Sequence, residues 1–292
     1  RRHEPAVFLA ALLNSQPMGF YTPSQLLQDA RRRGVEVLPV DVNVSTWDSA
    51  IEGPTTEAPV RLGFSLLRGM RAEAAERIET ARAARPFVDV ADLARRAQLD
   101  RHDLQVLARA NALRSLAGGN RRAALWLAAA AVPDRDLLRG TERDDMVPAL
   151  PKASEGKEIV TDYHAMGFTL GRHPLALLRD RLALDRLQSA EQLATLRSGQ
   201  LARACGLVTV RQRPGTANGV LFMTLEDETG QVNVILWPGL LEKFRKEALG
   251  AALLAVYGVW QAEGKVRHLI ASKLVDRTEL LAALPTTSRE FC

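Results

Sequence analysis

Five residues in the last third of the chain could together bind a single strand of nucleic acid. They are the basic or aromatic residues Arg211, Arg213, Phe222, Lys265 and Arg267. A cationic track neutralises phosphates, and an exposed aromatic ring can stack on a base. Residues 203–281 hold ten basic and eight acidic residues, so the electrostatic attraction is modest. The pattern favours single-strand binding, and docking of a partner protein is the open alternative.

A second group, Arg68, Gly69, Met70 and Arg71, could bind the phosphates of a duplex. Gly69 separates two short helical patterns, which is typical of a helix-hairpin-helix motif. There, a glycine lets main-chain N–H groups at a helix N-terminus approach a phosphate. The usual motif has a second glycine where this chain has Arg71, whose side chain could replace that approach. Residues 60–126 hold thirteen arginines against seven carboxylates, although an ordinary hairpin with exposed arginines remains the alternative.

The sequence shows no catalytic or metal-binding arrangement. Glu226-Asp227-Glu228 stands between two predicted strands, so we expect turn and solvent-facing residues there. His164 and His173 lack the spacing and the cysteine partners of metal ligands, which favours surface or capping roles. Neither a lysine-containing phosphate loop nor a nucleophile with its base can be recognised. We therefore expect no cofactor in this chain, and an active site, if the parent protein has one, outside it.

The first group lies on a predicted five-strand barrel with a helix after its third strand, the order of an OB-fold. The predicted strands cover 204–210, 220–225, 232–237, 253–260 and 266–274, and the helix covers 240–247. Trp237, Tyr257 and Trp260 fall in dense apolar runs, which predicts that they are core residues.

The second group lies in a predicted helical region. Helices are expected at 4–14, 23–33, 90–98, 101–110, 159–166 and 174–184. Thr22, Asp89 and Asp100 are the expected N-caps. Trp47 is expected to anchor the loop 41–59 by packing. The fold class that follows is multidomain α+β: a helical region with a helix-hairpin-helix motif, followed by an OB-fold β-barrel.

The composition is that of an intracellular globular protein, with 47% hydrophobic and 25% charged residues and a net charge of +5. Cys205 and Cys292 stand far apart, so we expect them to be reduced in the cytoplasm. No apolar run reaches the roughly 18 residues that a membrane span needs. The first helical pattern lacks a preceding cap, which suggests a fragment cut from a longer protein.

Four segments together resemble the C-terminal third of a bacterial C-family DNA polymerase, most closely the error-prone alpha-subunit paralogue of the ImuC type. These segments are Val37–Asp48, Leu67–Met70, Asp162–Leu175 and Arg211–Pro238. The resemblance implies that this chain is the C-terminal DNA- and partner-binding portion of a polymerase for damage-induced translesion synthesis. It also implies an upstream palm domain in which aspartate-bound magnesium (Mg²⁺) supports nucleotidyl transfer.

The same resemblance implies a division into five parts. Residues 1–55 are the end of the fingers domain, and 56–140 are the helix-hairpin-helix region that grips the duplex. A linker and helical connector at 141–200, the OB domain at 201–281 and a tail at 282–292 follow. Because the chain stops soon after the OB strands, it is expected to lack the clamp-loader-binding domain of the replicative branch.

The implied partners are primer-template DNA, an ImuB-type subunit, an ImuA-type subunit and the sliding clamp. The replicative branch binds its clamp through a glutamine-led motif that ends in an aromatic residue. This chain has Arg143-Asp-Asp-Met-Val147 there, without glutamine or aromatic. Clamp contact is therefore expected to be indirect, through the ImuB-type subunit. A complete, non-enzymatic DNA-binding adaptor with the same two modules is the competing interpretation.

Overall fold

The computed structural model describes residues 4–18, 21–53, 58–131, 150–264 and 266–281, and the main chain of 289–291. Two compact units, Arg1–Leu170 and Gly171–Cys292, make up the chain. Each has its own hydrophobic core. The division falls inside the predicted connector 141–200, while the domain boundaries expected from the sequence stay predictions.

The first unit is mainly helical. Its helices are α1 Pro5–Asn14, α2 Pro23–Arg32, α3 Ala72–Ala84, α4 Val90–Arg96, α5 Arg101–Arg109, α6 Arg121–Ala130 and α7 Glu155–Met166. Short 3-10 turns cover Phe64–Leu66 and Arg114–Leu116. A small sheet pairs β1 Val37–Leu38 parallel, and β2 Ala50–Ile51 antiparallel, with the central strand β3 Val60–Arg61.

The helix starts follow from side-chain caps that the sequence predicts. The Thr22 hydroxyl accepts a hydrogen bond from the Gln25 N–H at 3.2 Å, and the Gln25 side chain accepts one from the Thr22 N–H at 3.0 Å. Asp89 caps α4, and Asp100 caps α5 with a reciprocal bond at Asp103. Such caps satisfy N–H groups that have no partner within the helix. All three predicted N-caps are confirmed.

A buried carboxylate with arginine partners joins the first turn of α4 to the end of α3. Asp92, which is buried, faces Arg85, Arg95 and Arg96. Burial opposes ionisation of Asp92 most strongly, but hydrogen bonds from Arg96, Arg85 and the Val88 N–H outweigh it and lower its pKa. Because a buried charge is stable only when it is paired and hydrogen-bonded, this cluster fixes how α4 starts.

The second unit is a closed barrel with four helices among its described residues. The helices are α8 Pro174–Leu184, α9 Ala190–Ala194, α10 Pro238–Lys243 and α11 Arg245–Gly250. The barrel strands are β4 Leu201–Gln212, β5 Leu221–Glu226, β6 Gln231–Leu236, β7 Leu253–Glu263 and β8 Val266–Asp276. A further strand, β9 Arg289–Phe291, pairs parallel with the end of β4.

The strand order β5-β6-β8-β7-β4 closes because β4 pairs with both β7 and β5. Strands β6 and β8 run parallel, and the other barrel pairs are antiparallel. Two short helices, α10 and α11, follow the third barrel strand, where the sequence predicts a single helix over 240–247. The OB-type barrel and the α+β multidomain fold class are confirmed.

Side chains along each barrel strand point alternately into the core and toward the outer surface. Inward residues such as Met223, Val234 and Trp260 are buried, so the core position predicted for Trp260 is confirmed. Trp237 is 55% exposed, and its predicted core position is wrong. Tyr257 lies on the outer surface and is only partly buried, so its prediction is wrong as well. In the described part of both units, no helix is long and apolar enough to cross a bilayer.

Candidate nucleic-acid interfaces

In the first unit, the predicted hairpin at Gly69 joins the turn Phe64–Leu66 to α3. Gly69 has a φ of +84°, and the Met70 N–H donates to Leu67 O at 3.1 Å. A Cβ at Gly69 would make only ordinary contacts, at 3.6 Å from His102 and Val106. The turn therefore needs glycine for its positive φ and not for space.

The N-terminus of α3 has no side-chain cap, although the neighbouring α4 and α5 are capped by aspartates. Its first N–H groups, at Arg71, Ala72 and Glu73, have no acceptor within the helix. Uncapped N–H groups and the positive end of the helix dipole together favour an anion such as phosphate. Ala72 and Glu73 are exposed, so this end of the helix is accessible.

Arg68 and Arg71 both have protein partners that the sequence does not reveal. The Arg68 guanidinium donates to Tyr163 O at 3.1 Å and His164 O at 3.5 Å, at the C-terminal end of α7. Its own N–H donates to Ala165 O at 2.8 Å. A cation is favourable at the negative end of a helix. Arg68 thus holds α7 against the hairpin.

Arg71 joins the start of α3 to the start of α5. Its guanidinium lies 2.5 Å from Asp100 and 2.7 Å from Asp103. The hydrogen bonds to Asp103 and Asp100 raise the pKa of Arg71. The side chain is still 47% exposed, but its donors are already directed at two carboxylates. Met70 is partly buried against the core. The Arg68 and Arg71 side chains are exposed but already have protein partners, so the main-chain N–H groups at the start of α3 are the donors that lack an acceptor within the helix.

In the second unit, Arg211 does not lie in an open groove, which corrects the prediction. It is only 5% exposed, and it donates to Ala248 O at 2.7 Å and to Ala251 O at 2.5 Å, at the end of α11. A β-bulge between Val208 and Val210 inserts one residue into β4, so that Arg211 pairs with the inward residue Met223. One inserted residue moves the following side chains to the other face.

Arg213, two residues later, is exposed at the start of the β4–β5 loop. A Cβ added at Gly219 would lie 3.3 Å from Arg213 Nη2 and 3.6 Å from Pro238 Cγ. Arg213 and Pro238 therefore both lie next to Gly219. Trp237, directly before Pro238, is exposed. The structure therefore places a cation and an accessible indole around one tight turn.

Phe222 is partly buried and pairs directly with Ile235 on the outer surface of β5 and β6. In the next outward pair, Thr224 donates to Asn233 at 3.3 Å. Trp237 follows Ile235 by two residues and continues the same face. An aromatic and polar face of this kind can stack bases and contact their edges.

Arg267 is exposed and donates to Ala194 O at 2.8 Å, at the end of α9. The parallel pair Val234–Leu269 puts Arg267 near the start of β6, whereas Arg213 adjoins the end of β6. The two arginines thus stand at opposite ends of the β5–β6 face. Lys265 lies outside the described residues.

The acidic turn after β5 is a structural element. Glu226 and Asp227 are buried, so their predicted solvent-facing position is wrong. Asp227 accepts hydrogen bonds from the N–H groups of Thr229, Gly230 and Ala190 at 2.7–2.8 Å. Burial opposes ionisation of Glu228 most strongly, but the Arg179 hydrogen bond at 2.5 Å outweighs it and lowers its pKa.

The histidines and the buried cysteine take other roles. His173 caps α8 by accepting from the Leu175 N–H at 3.2 Å, which confirms the predicted capping role. Burial raises the pKa of Cys205 to about 12, so its thiol stays protonated near neutral pH. Across the described ranges, no three His, Cys, Asp or Glu residues are grouped to hold a metal ion.

Two family models match the chain. A helix-hairpin-helix motif matches residues 34–124, and an OB-fold nucleic acid binding domain matches residues 202–276. Curated relatives match along the whole chain. The error-prone DNA polymerase of Burkholderia pseudomallei (strain K96243) is 59% identical over 298 residues, which cover 100% of this chain and 28% of the relative. The chain is homologous to part of the error-prone DNA polymerases.

Two further error-prone DNA polymerases show the same relationship. That of Ralstonia pickettii (strain 12J) is 56% identical over 99% of this chain and 28% of its own length. That of Alkalilimnicola ehrlichii is 51% identical over 99% of this chain and 28% of its own length. The chain thus spans somewhat more than a quarter of these relatives. The resemblance to the error-prone polymerases that the sequence suggests is confirmed.

Proposed function

We propose that this chain is a DNA-binding part of an error-prone DNA polymerase, with one module for the duplex and one for a single strand. The similarity to error-prone DNA polymerases along the whole chain supports this function. The uncapped N-terminus of α3, beside a glycine with positive φ, is the structural observation that carries it. The similarity favours this function over a self-contained adaptor.

Duplex binding uses the main chain at the start of α3. A phosphate oxygen accepts from the N–H groups of the first turn, while Arg68 and Arg71 keep that turn in place from the protein side. A contact of this kind carries no sequence information, because it touches only the backbone of the nucleic acid. The expected binding is therefore independent of base sequence and weakens with salt.

A pair of substitutions on α3 tests this assignment. Ala72→Glu places a carboxylate at the exposed first position of the helix, and Ala83→Glu places one at its exposed last turn. Both change the net charge equally. The carboxylate of Ala72→Glu lies at the positive end of the helix dipole and should stabilise the helix by about 0.3–1 kcal/mol. The carboxylate of Ala83→Glu lies at the negative end and should destabilise it by a similar amount. Ala72→Glu is thus the variant that is less harmful to folding.

Duplex affinity, measured by fluorescence anisotropy with an unrelated pair of duplex sequences, should fall about tenfold or more for Ala72→Glu. Ala83→Glu should stay close to the native value. Circular dichroism and thermal unfolding serve as folding controls. Equal affinities for the two variants would show that the start of α3 does not contact DNA.

The barrel is proposed to hold the single-stranded template on its β5–β6 face. Arg213 supplies a cation at one end, Phe222 and Ile235 form the middle, and the exposed Trp237 offers a ring for stacking. Each stacked base contributes roughly 1–3 kcal/mol. Arg267 stands at the far end of the face, while Arg211 supports the barrel from inside.

The nucleotidyl transfer belongs, in this proposal, to the rest of the polymerase. Magnesium would supply charge neutralisation for that reaction. Among the described residues no three carboxylates are grouped to hold a metal ion, and the buried Asp92, Asp103 and Asp227 are each engaged by arginine or main-chain N–H groups. Residues 1–292 alone should therefore not extend a primer. Nucleotide incorporation by a preparation free of other polymerases would contradict this assignment.

Translesion synthesis after DNA damage, in the bacterial cytoplasm, is the setting that we propose for the whole polymerase. Its partners are an ImuB-type subunit, an ImuA-type subunit and, through the former, the sliding clamp. The segment Arg143–Val147, on which the indirect clamp contact rests, lies outside the described residues. Mixing the chain with purified clamp, with and without the ImuB-type subunit, tests this arrangement: a micromolar binary complex abolished by Met146→Ala would refute it.

A further inference from the structure

The outer surface of the barrel carries a row of one aromatic residue between two cations. Arg203 on β4 pairs with Tyr257 on β7, which in turn pairs with Lys273 on β8. The Arg203 guanidinium lies 5.8 Å, and the Lys273 ammonium 5.6 Å, from the centre of the Tyr257 ring. These are cation–π contacts, which hold both cations against the ring.

A β-bulge creates this row. The pairing of β7 with β8 shifts between Tyr257 and Gly258, and Ser272 is the extra residue on β8. Every second residue of a strand lies on the same face, so without the bulge Lys273 would point inward like Leu269 and Ala271. The extra residue turns Lys273 outward. Gly258 permits the close approach of the strands, because a Cβ there would lie 1.9 Å from Ile270 O.

An aliphatic row lies directly beside the cationic row. Leu201, Val259 and Ile270 pair across the same three strands. Leu201 is 82% exposed and Val259 is 37% exposed. Large aliphatic side chains clustered at a surface beside charged ones are typical of a site that another molecule covers.

The two cations have no carboxylate partner among the residues that the structure describes. Other arginines of this unit are engaged, for example Arg179 with Glu228 and Arg277 with Asp185. Arg203 and Lys273, by contrast, contact the Tyr257 ring through their charged groups. The outward positions of these rows contain no acidic residue. The patch is therefore positively charged and partly apolar.

We propose that Arg203, Tyr257, Lys273, Leu201 and Val259 form a docking surface for an acidic segment of a partner protein that also carries aliphatic side chains. Carboxylates of the segment pair with the two cations, and its aliphatic side chains cover Leu201 and Val259. The two cations are two strand spacings apart, about 10 Å, so they engage separate carboxylates. This surface lies across β4, β7 and β8, apart from the β5–β6 face proposed for the single strand.

The observations favour a protein over a nucleic acid here. Bases stack on free aromatic rings, but the Tyr257 ring already has Arg203 and Lys273 against it. Leu201 and Val259 offer no stacking platform, whereas they match aliphatic side chains by burial. A protein segment can contact both the cationic row and the aliphatic row, whereas a single strand of DNA would contact only the cationic row.

The test measures binding of a fluorescein-labelled peptide made of Asp-Glu-Leu repeats to the whole 292-residue chain. A second peptide with Ser in place of Leu, and a labelled oligo-dT strand, are the comparison probes. The main variant is Arg203→Glu with Lys273→Glu. Its control, Arg245→Glu with Lys246→Glu, makes the same charge change at two exposed cations on α11.

The Asp-Glu-Leu peptide should lose about tenfold or more in affinity for the main variant and keep its affinity for the control. Leu201→Ser should weaken binding of the Leu peptide and leave the Ser peptide unaffected. The proposal is overturned if the native chain shows no saturable peptide binding, or if both double variants lose peptide affinity equally. A selective loss of oligo-dT affinity in the main variant would assign the patch to nucleic acid instead.

Discussion

Arg71 and Asp103 form an ion pair of 2.7 Å between the start of α3 and the first turn of α5. Asp103 is fully buried, and Arg77 approaches its other oxygen at 3.5 Å. Because the same carboxylate closes the capping box of α5, one buried group fixes two helix starts. The position of the proposed phosphate-binding turn thus depends on a residue that does not contact DNA.

Asp103→Ala should lower the free energy of unfolding by about 1–3 kcal/mol, because buried donors lose their acceptor. It should also weaken duplex binding by misplacing the start of α3. Urea unfolding and anisotropy measure the two effects. Asp29→Ala, which removes an exposed ion pair with Arg33, is the control and should cost at most about 1 kcal/mol. Equal losses of stability in both variants would disprove the role assigned to Asp103.

Gly69→Ala and Gly34→Ala separate backbone strain from DNA binding. Both glycines have a positive φ, +84° and +79°, and neither Cβ would clash. Each substitution should therefore destabilise the fold by a similar amount, about 1–2 kcal/mol. Only Gly69→Ala should also lower duplex affinity, because Gly69 borders the open end of α3. If both variants bind duplex equally well, the turn at Gly69 is a packing element only.

Substitution of Arg211 should lower the stability of the fold, whereas substitution of Arg213 should weaken single-strand binding. Arg211→Met leaves Ala248 O and Ala251 O without these donors and should cost about 1–3 kcal/mol of stability. Arg213→Ala should leave stability unchanged and reduce the salt slope of oligo-dT binding by about 0.7. Arg245→Ala, an exposed arginine on α11, is the control for the slope. A salt slope unaffected by Arg213→Ala would remove this residue from the single-strand face.

Asp92 should make part of the stability pH-dependent. Its pKa in the fold is lower than in the unfolded chain, where it is about 3.9. The stabilisation by its ionised form is thus complete above the unfolded pKa and is lost as pH falls through the folded pKa. Asp92→Asn should be about 1–3 kcal/mol less stable than the native chain near pH 7.

The stability difference between native chain and Asp92→Asn should stay constant from neutral pH to about pH 5 and shrink below about pH 4. Urea titrations across that range measure it. A difference that grows on acidification would show that the arginines around Asp92 do not stabilise its charged form.

Local signals in the sequence predict most of the elements. Thr22 and Asp100 predict helix starts because each side chain accepts a hydrogen bond from the N–H only three residues later. The Asp227–Gly230 turn likewise identifies the β5–β6 hairpin. The sequence analysis gives no helix at the position of α6, although Asn120 caps this helix by accepting from the Arg122 N–H at 3.0 Å. The Gly118-Gly119-Asn120 stop before an alanine-rich run is the signal that could have found it.

The site residues were harder to predict, because long-range geometry decides their exposure. Arg211 is buried on account of a bulge in β4, and a bulge is a property of the register between two strands. Trp237 ends an apolar run yet is exposed, because the strand ends there and α10 begins. The local sequence predicts a phosphate contact for Arg71, but Asp100 and Asp103 bind it from about thirty residues away.

Strand β4 imposes an order on the assembly of the barrel. The β5–β6 and β7–β8 hairpins join neighbouring segments and can form within about 1–10 μs. The pair Leu201–Val259, by contrast, joins residues that are fifty-eight positions apart, so its loop-closure entropy delays it. During synthesis the second half of β4 can pair at once with β5, whereas its first half leaves the ribosome early and stays unpaired until β7 follows. The edge of that first half is then unpaired in the nascent barrel, and an unpaired strand edge is prone to aggregation.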